Sequence, residues 1–330
     1  MAVKAFSLNQ MGNEASYPAQ GAAAVAADIV LPGTLSVTTD KPAHRPMDDR
    51  GSLAEFRRSV VTQQGSKLRY EGDATYNQLI HFLGMGLKGS VTPSTPGGGS
   101  TSRLWTYTPS LTARNNVESY SIEFGDEQQM WEVSYAFVES FELGYTLDEV
   151  VSFRADMSAR YPAKSTFTSL SDATLVEVVA NKLNLWIDTT WSNLGTTAMN
   201  DLLTACTVRM NTGMSAVKRA DGALEFSAIS ESRRHLEIDF DFVMNANGEL
   251  QWDAFDAQTD RAIRLLVTGP IIEGAIPYKF GVDAIGQYSS SPEFFTEKDG
   301  ENIVRFTFVS MEDASGNEMS FTVQNKETAY

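Results

Sequence analysis

The stretch Leu236-Glu237-Ile238-Asp239-Phe240-Asp241-Phe242-Val243-Met244 alternates apolar and acidic residues with a period of two. That period puts the apolar side chains on one face of a β-strand and Glu237, Asp239 and Asp241 on the other. Successive carboxylates on the wet face would stand about 7 Å apart. Like charges in such a row repel, and the stretch contains no cation to answer them. The row reads either as a solvated strand face or as a surface that meets something outside the domain.

Working outward, the same alternation recurs along the chain. Strands are expected at residues 33–39, 56–62, 66–71, 104–109, 119–124, 130–142 and 149–155 in the first half. The second half should carry them at residues 181–189, 208–210, 224–229, 236–244, 263–268, 302–311 and 319–324. Asp221-Gly222, Asn247-Gly248 and Asp299-Gly300 suit tight turns, because these residues tolerate positive φ. Three short helices are expected. The first is capped by Asp73, carries Tyr76, Leu79, Ile80 and Leu83 at helical spacing, and stops at Gly84. The others cover residues 198–205 and 253–259.

Two segments lack this order. Residues 1–50, with prolines at positions 18, 32, 42 and 46, read as an extended arm. Residues 87–102 are rich in Gly, Ser, Thr and Pro and read as a long loop, mobile in isolation and open to ordering by a neighbour. The pattern breaks at residues 161–166, which places a domain boundary between 1–165 and 166–330. The second half repeats the element order of the first without a residue-level repeat.

At 42% hydrophobic and 21% charged, the chain has the make-up of a folded, soluble protein. No apolar run approaches the ~20 residues of a membrane span, and the first residues lack the layout of a signal peptide. The single cysteine, Cys206, excludes an internal disulfide and reads as a small buried apolar residue. A formal charge of −16 argues against a protein that grips nucleic acid by its phosphates. It leaves room for an acidic surface that DNA passes without sticking.

Chemical motifs are weak. Gly84-Met85-Gly86-Leu87-Lys88-Gly89 matches a dinucleotide fingerprint by letter, but a helix precedes it and a loop follows, the reverse of what phosphate binding needs. Asn245-Ala246-Asn247-Gly248 resembles the middle of a calcium loop whose first and last ligand positions would be Val243 and Ala254, which cannot ligate. His44, His81 and His235 are scattered, with no metal-ligand spacing around them. No nucleophile elbow occurs. No catalytic, cofactor or metal residue is therefore named, and an enzyme is not expected. The Arg57-Arg58 and Arg233-Arg234 doublets read as partners for acidic groups across a subunit contact or as ordinary surface charge.

Four places in the chain resemble the major tail tube proteins of long-tailed, non-contractile bacteriophages. They are Gly12-Asn13-Glu14 running on to Leu31-Pro32; Leu68-Arg69-Tyr70-Glu71 passing into the helix; Leu104-Trp105-Thr106-Tyr107-Thr108-Pro109 with the alternating run through Val138-Glu139-Ser140-Phe141-Glu142-Leu143; and Asn302-Ile303-Val304-Arg305-Phe306-Thr307-Phe308. The likeness is diffuse, and clearer in the first half.

The resemblance implies a mainly β fold: two tandem tail-tube-like β-sandwich domains with short flanking helices, and long hairpins that join an intersubunit β-barrel. Three copies would form a pseudo-hexameric ring, and stacked rings a tube for genome ejection, with Glu237, Asp239 and Asp241 as candidate lumen-facing residues. Implied partners are further copies of the chain, the tape measure, tail terminator and distal tail proteins, and double-stranded DNA in transit. No membrane or cofactor is implied. The place would be the phage tail, after assembly in the host cytoplasm. A surface-binding β-sandwich, an adhesin or carbohydrate-binding module using Trp186, Trp191 or Trp252 as a platform, is the alternative expectation.

Overall fold

The computed structural model describes residues 7–16, 20–21, 24–47, 55–170, 174–289, 292–298 and 300–330. The first six residues, Pro18, part of the small-residue run at 21–27, and Asp299 of the expected turn lie outside the described residues.

The fold is mainly β. Strands β1 (Leu8–Ser16), β2 (Ile29–Val30), β3 (Thr34–Asp40), β4 (Ala43–His44), β5 (Val60–Val61) and β6 (Gly65–Asp73) come first. Helix α1 (Leu79–Gly86) precedes β7 (Arg103–Tyr107), β8 (Glu118–Gly125), β9 (Met130–Thr146), β10 (Ser152–Ala159) and β11 (Ala163–Ser165). Then follow β12 (Leu183–Asp188), β13 (Leu203–Asn211), β14 (Met214–Val217), β15 (Ala228–Glu231) and β16 (His235–Val243). Helix α2 (Ala246–Asp256) leads to β17 (Arg261–Glu273), β18 (Ile276–Tyr288), β19 (Glu293–Lys298), β20 (Glu301–Ser310) and β21 (Met319–Asn325).

Among the described residues, seventeen strands belong to one antiparallel network, with β4–β5 and β14–β15 as separate ribbons. One layer runs β3-β6-β10-β9-β13-β16-β20-β19 and contains the acidic strand. A second, β2-β1-β8-β9-β11, uses the first half of β9. A third, β12-β17-β18-β21-β7, meets the first where β18 touches β20. Between its two layers β9 turns at Tyr135, which takes a φ of +57°. A bulky residue holds that conformation only where its surroundings impose it, and here its N–H donates to the Glu14 carboxylate at 2.7 Å. The same carboxylate accepts from the Ser119 and Ser121 hydroxyls, both at 2.8 Å.

The alternation read from sequence becomes burial. Along β16, Leu236, Ile238, Phe240 and Phe242 are fully buried, while Glu237, Asp239 and Asp241 stay half-exposed. The apolar side of the eight-strand layer contributes to a core drawn from both halves of the chain; Phe141 meets Phe321 edge-on at 5.8 Å. Strand pairing also crosses the sequence midpoint, at β9–β13 and β7–β21. No helix among the described residues is long and apolar enough to cross a membrane.

Several expectations are corrected. The N-terminal segment is not simply an arm, because β1 pairs with β8 along its length. The expected strand at 56–62 shrinks to Val60–Val61. Asp73 ends β6 rather than capping α1; the Gln78 N–H donates instead to the Thr75 hydroxyl, and the helix runs past Gly84 to Gly86. Residues 198–205 are not helical: Leu203 enters β13, which is paired on both sides, and such pairing overrides a weak helical preference. Asn247-Gly248 is no hairpin turn. The Asn245 side chain accepts from both N–H groups at 2.9 and 3.0 Å and starts α2 there, ahead of the expected 253–259. Strand β18 was not expected.

The loop at 87–102 is ordered by its own chain. Ser94 and Leu104 exchange backbone hydrogen bonds at 2.8 and 2.9 Å, and the Glu273 carboxylate accepts from the N–H groups of Ser100, Thr101 and Ser102 at 2.7–3.1 Å. Hydrogen bonds from Ser102, then Ser100 and Thr101, hold the Glu273 carboxyl well below the usual carboxylate range. A depressed carboxyl contributes stability above the unfolded value, about 4.3, which is lost as pH falls through the folded one. The latch should therefore hold at pH 5 and release only in strong acid. Glu273→Ala should speed amide exchange of residues 99–102 by about tenfold or more at neutral pH, measured by hydrogen–deuterium exchange; unchanged protection would refute the latch.

Candidate functional surface

The residues proposed from sequence sit together on the polar side of the eight-strand layer, but not as an unanswered row of charge. Cross-strand neighbours supply the cations that the stretch itself lacks. Arg209 of β13 lies opposite Glu237 of β16 on one side and Glu142 of β9 on the other. Its guanidinium reaches Glu142 at 3.1 Å and Glu237 at 3.4 Å, and also bonds Asp239. Arg305 of β20 lies opposite Asp241 and bonds it at 2.8 Å, while the Thr307 hydroxyl donates to Asp239 at 2.7 Å. Partial burial pulls the Arg209 pKa down, but the bonds to Asp239 and Glu142 outweigh it and hold the guanidinium firmly charged. The expectation of a bare acidic line is overturned.

The ladder continues across the first half of the layer. Arg69 pairs with Glu71 at 2.6 Å, Arg154 stands 3.9 Å from Glu71 and 3.5 Å from Asp156, and the Lys67 ammonium bonds Glu139 at 2.7 Å. The face is therefore charged in both signs, with carboxylates outnumbering cations. Because these pairs are well exposed, each adds little stability; their joint effect is to hold long side chains flat on the sheet. Beside them β3 offers Thr34, Ser36 and Thr38, all exposed.

Outside this face, polar groups serve packing. His81 is buried in α1, its Nδ1 2.9 Å from the Tyr120 hydroxyl, and burial pushes its pKa down to about 3. Cys206 is buried, as expected of a small apolar residue, and burial raises its thiol pKa. In the fingerprint-like run, a side chain at Gly84 would strike the Tyr330 ring and one at Gly86 the Thr212 and Val138 side chains, so these glycines allow close packing. Arg234 pairs with Glu318 at 3.2 Å and Glu231 at 3.7 Å within its own chain. An open cleft of about 880 Å³ lies between residues 110–114 and the β14–β15 ribbon. Arg234 and Arg114 bridge it to the Ser110 and Ile229 carbonyls and so brace the ribbon.

Trp186 on β12, Trp191 in a short turn and Trp252 on α2 are each half-buried; Trp252 packs on Phe255 at 5.5 Å. Among the described residues no three His, Cys, Asp or Glu side chains gather where a metal ion could sit. The chain matches no protein-family model and no curated protein.

Proposed function

We propose that this chain is a structural subunit of a phage tail tube, assembling into stacked rings that conduct DNA and carrying out no catalysis. One observation supports the reading most: the eight-strand layer has one buried apolar face, one charged wet face and, among the described residues, two ends without a partner strand. Among the described residues β3 pairs only with β6 and β19 only with β20. Open edges on so wide a sheet invite pairing with other chains, and closure into a barrel removes them. A ring joined head to tail closes when the rotation per subunit divides the circle, and three copies, each holding two tube domains, give a pseudo-sixfold ring.

In that assembly the polar face turns inward. Glu237, Asp239 and Asp241, with their arginine partners, then line a bore of mixed charge with a carboxylate excess. DNA would slide along it, since repulsion acts only within a Debye length of about 8 Å and the cations are already engaged. Further copies of the chain, the tape measure, terminator and distal tail proteins are the proposed partners, and the virion tail the proposed place. Negative-stain imaging of purified, concentrated protein tests the proposal: rings or tubes are expected. A monomer with a saturable carbohydrate ligand would instead favour the adhesin-like alternative.

A further inference from the structure

The eight-strand layer contains one four-strand order twice. The first unit is β3-β6-β10-β9 and the second β13-β16-β20-β19. In each, the second strand leads directly to a helix, α1 after β6 and α2 after β16. In each, an acid on the second strand lies opposite an arginine on the third, Glu71 with Arg154 and Asp241 with Arg305. Superposing those pairs makes Thr34 of β3 the counterpart of Ala205 of β13, since each lies opposite the acid.

The two units meet inside the chain at β9–β13, an antiparallel junction running from Thr146 opposite Ala205 to Ser140 opposite Asn211. That junction joins the fourth strand of one unit to the first strand of the next. The fourth strand of the second unit is β19, and the first strand of the first unit is β3. We propose that β19 of one copy pairs antiparallel with β3 of a second copy, repeating between chains the junction that β9 and β13 make within one. The proposal rests on the tube reading and names the edges and register that reading leaves open. Every neighbour in the layer is antiparallel, so the added junction keeps the alternation intact around a ring.

The register follows from the same correspondence. Two residues before Arg154, Ser152 lies opposite Gly144; two before Arg305, Ile303 lies opposite Thr296. Thr296 is thus the counterpart of Gly144, which faces Thr207 across the internal junction. Thr207 lies opposite Asp239 and corresponds to Ser36, opposite Arg69. Thr296 of one copy should therefore face Ser36 of the next. Both side chains are exposed and uncharged, so the pair sets no like charges against each other, and Thr–Ser pairs support antiparallel pairing.

Directly opposed residues in antiparallel strands have Cα atoms about 4.5–5.5 Å apart, within disulfide reach. Chains carrying Ser36→Cys and chains carrying Thr296→Cys should be mixed, assembled, oxidised and run on a non-reducing gel. The expected result is a disulfide-linked dimer from the mixture and none from either variant alone, with the double variant giving a trimer. Rings or tubes that form without this crosslink would overturn the junction and leave the tube reading standing. No particles from the unmodified chain would overturn the tube reading and the junction with it. Hydrogen exchange on the unmodified chain gives a second readout that needs no variant. Amides of residues 34–40 and 293–298 should exchange about tenfold more slowly, or slower still, in particles than in free subunits; unaltered exchange in particles would equally refute the junction.

Discussion

Phe306→Ala is expected to destabilise the chain by about 3–5 kcal/mol, the range for removing a large aromatic from a packed core. Phe306 is fully buried at the middle of β20, with ring centroids 5.1 Å from Tyr288 and 5.7 Å from Phe242. It thus fastens the acidic strand to the long β17–β18 hairpin. Core residues and strand pairs cross between the halves, so unfolding in urea should stay a single transition that shifts as a whole. A loss below about 1 kcal/mol, or two separated transitions, would show that the halves do not share one core.

The second large effect concerns the polar face. With Glu237→Gln, Asp239→Asn and Asp241→Asn combined, Arg209 keeps only Glu142 of its three carboxylate partners, and Arg305 loses its ion pair with Asp241. The variant should fold and assemble, because exposed pairs contribute little to stability. Its wall, however, loses three carboxylates, which weakens its repulsion and leaves the Arg209 guanidinium more open to phosphates. Assembled tubes should then retain DNA at 50 mM salt and release it by 200 mM, the steep dependence that phosphate contacts impose; unmodified tubes should retain none. Failure to assemble would make the row a subunit interface. Tubes that still ignore DNA would show that the row faces elsewhere.

How much of this was legible in the sequence follows from what periodicity can report. Alternation in one strand announces that strand's two faces, and β16 appears within a residue of its expected place with its burial as read. It says nothing of the strands alongside. Arg209 and Arg305 answer the acidic row from 28 and 64 residues away in sequence, measured from Glu237 and Asp241, and only the pairing register brings them there. Strand β1 was hidden because Asn9, Gln10, Gly12 and Asn13 carry little strand preference; its place is set by β8 and by the Glu14 carboxylate. Strand β18, broken by Pro277, Gly281 and Gly286, was hidden for the same reason and is held by β17 and β21. Asn247-Gly248 was legible as a turn former, but Asn245 competes for the same N–H groups and turns the chain into a helix.

Light scattering across a concentration series, with the particles then imaged in negative stain, decides whether the chain assembles with copies of itself. Mass should grow in steps of three chains towards rings and tubes, with tail initiation proteins speeding growth. A particle of one chain's mass at every concentration, with or without those proteins, would contradict the tube reading.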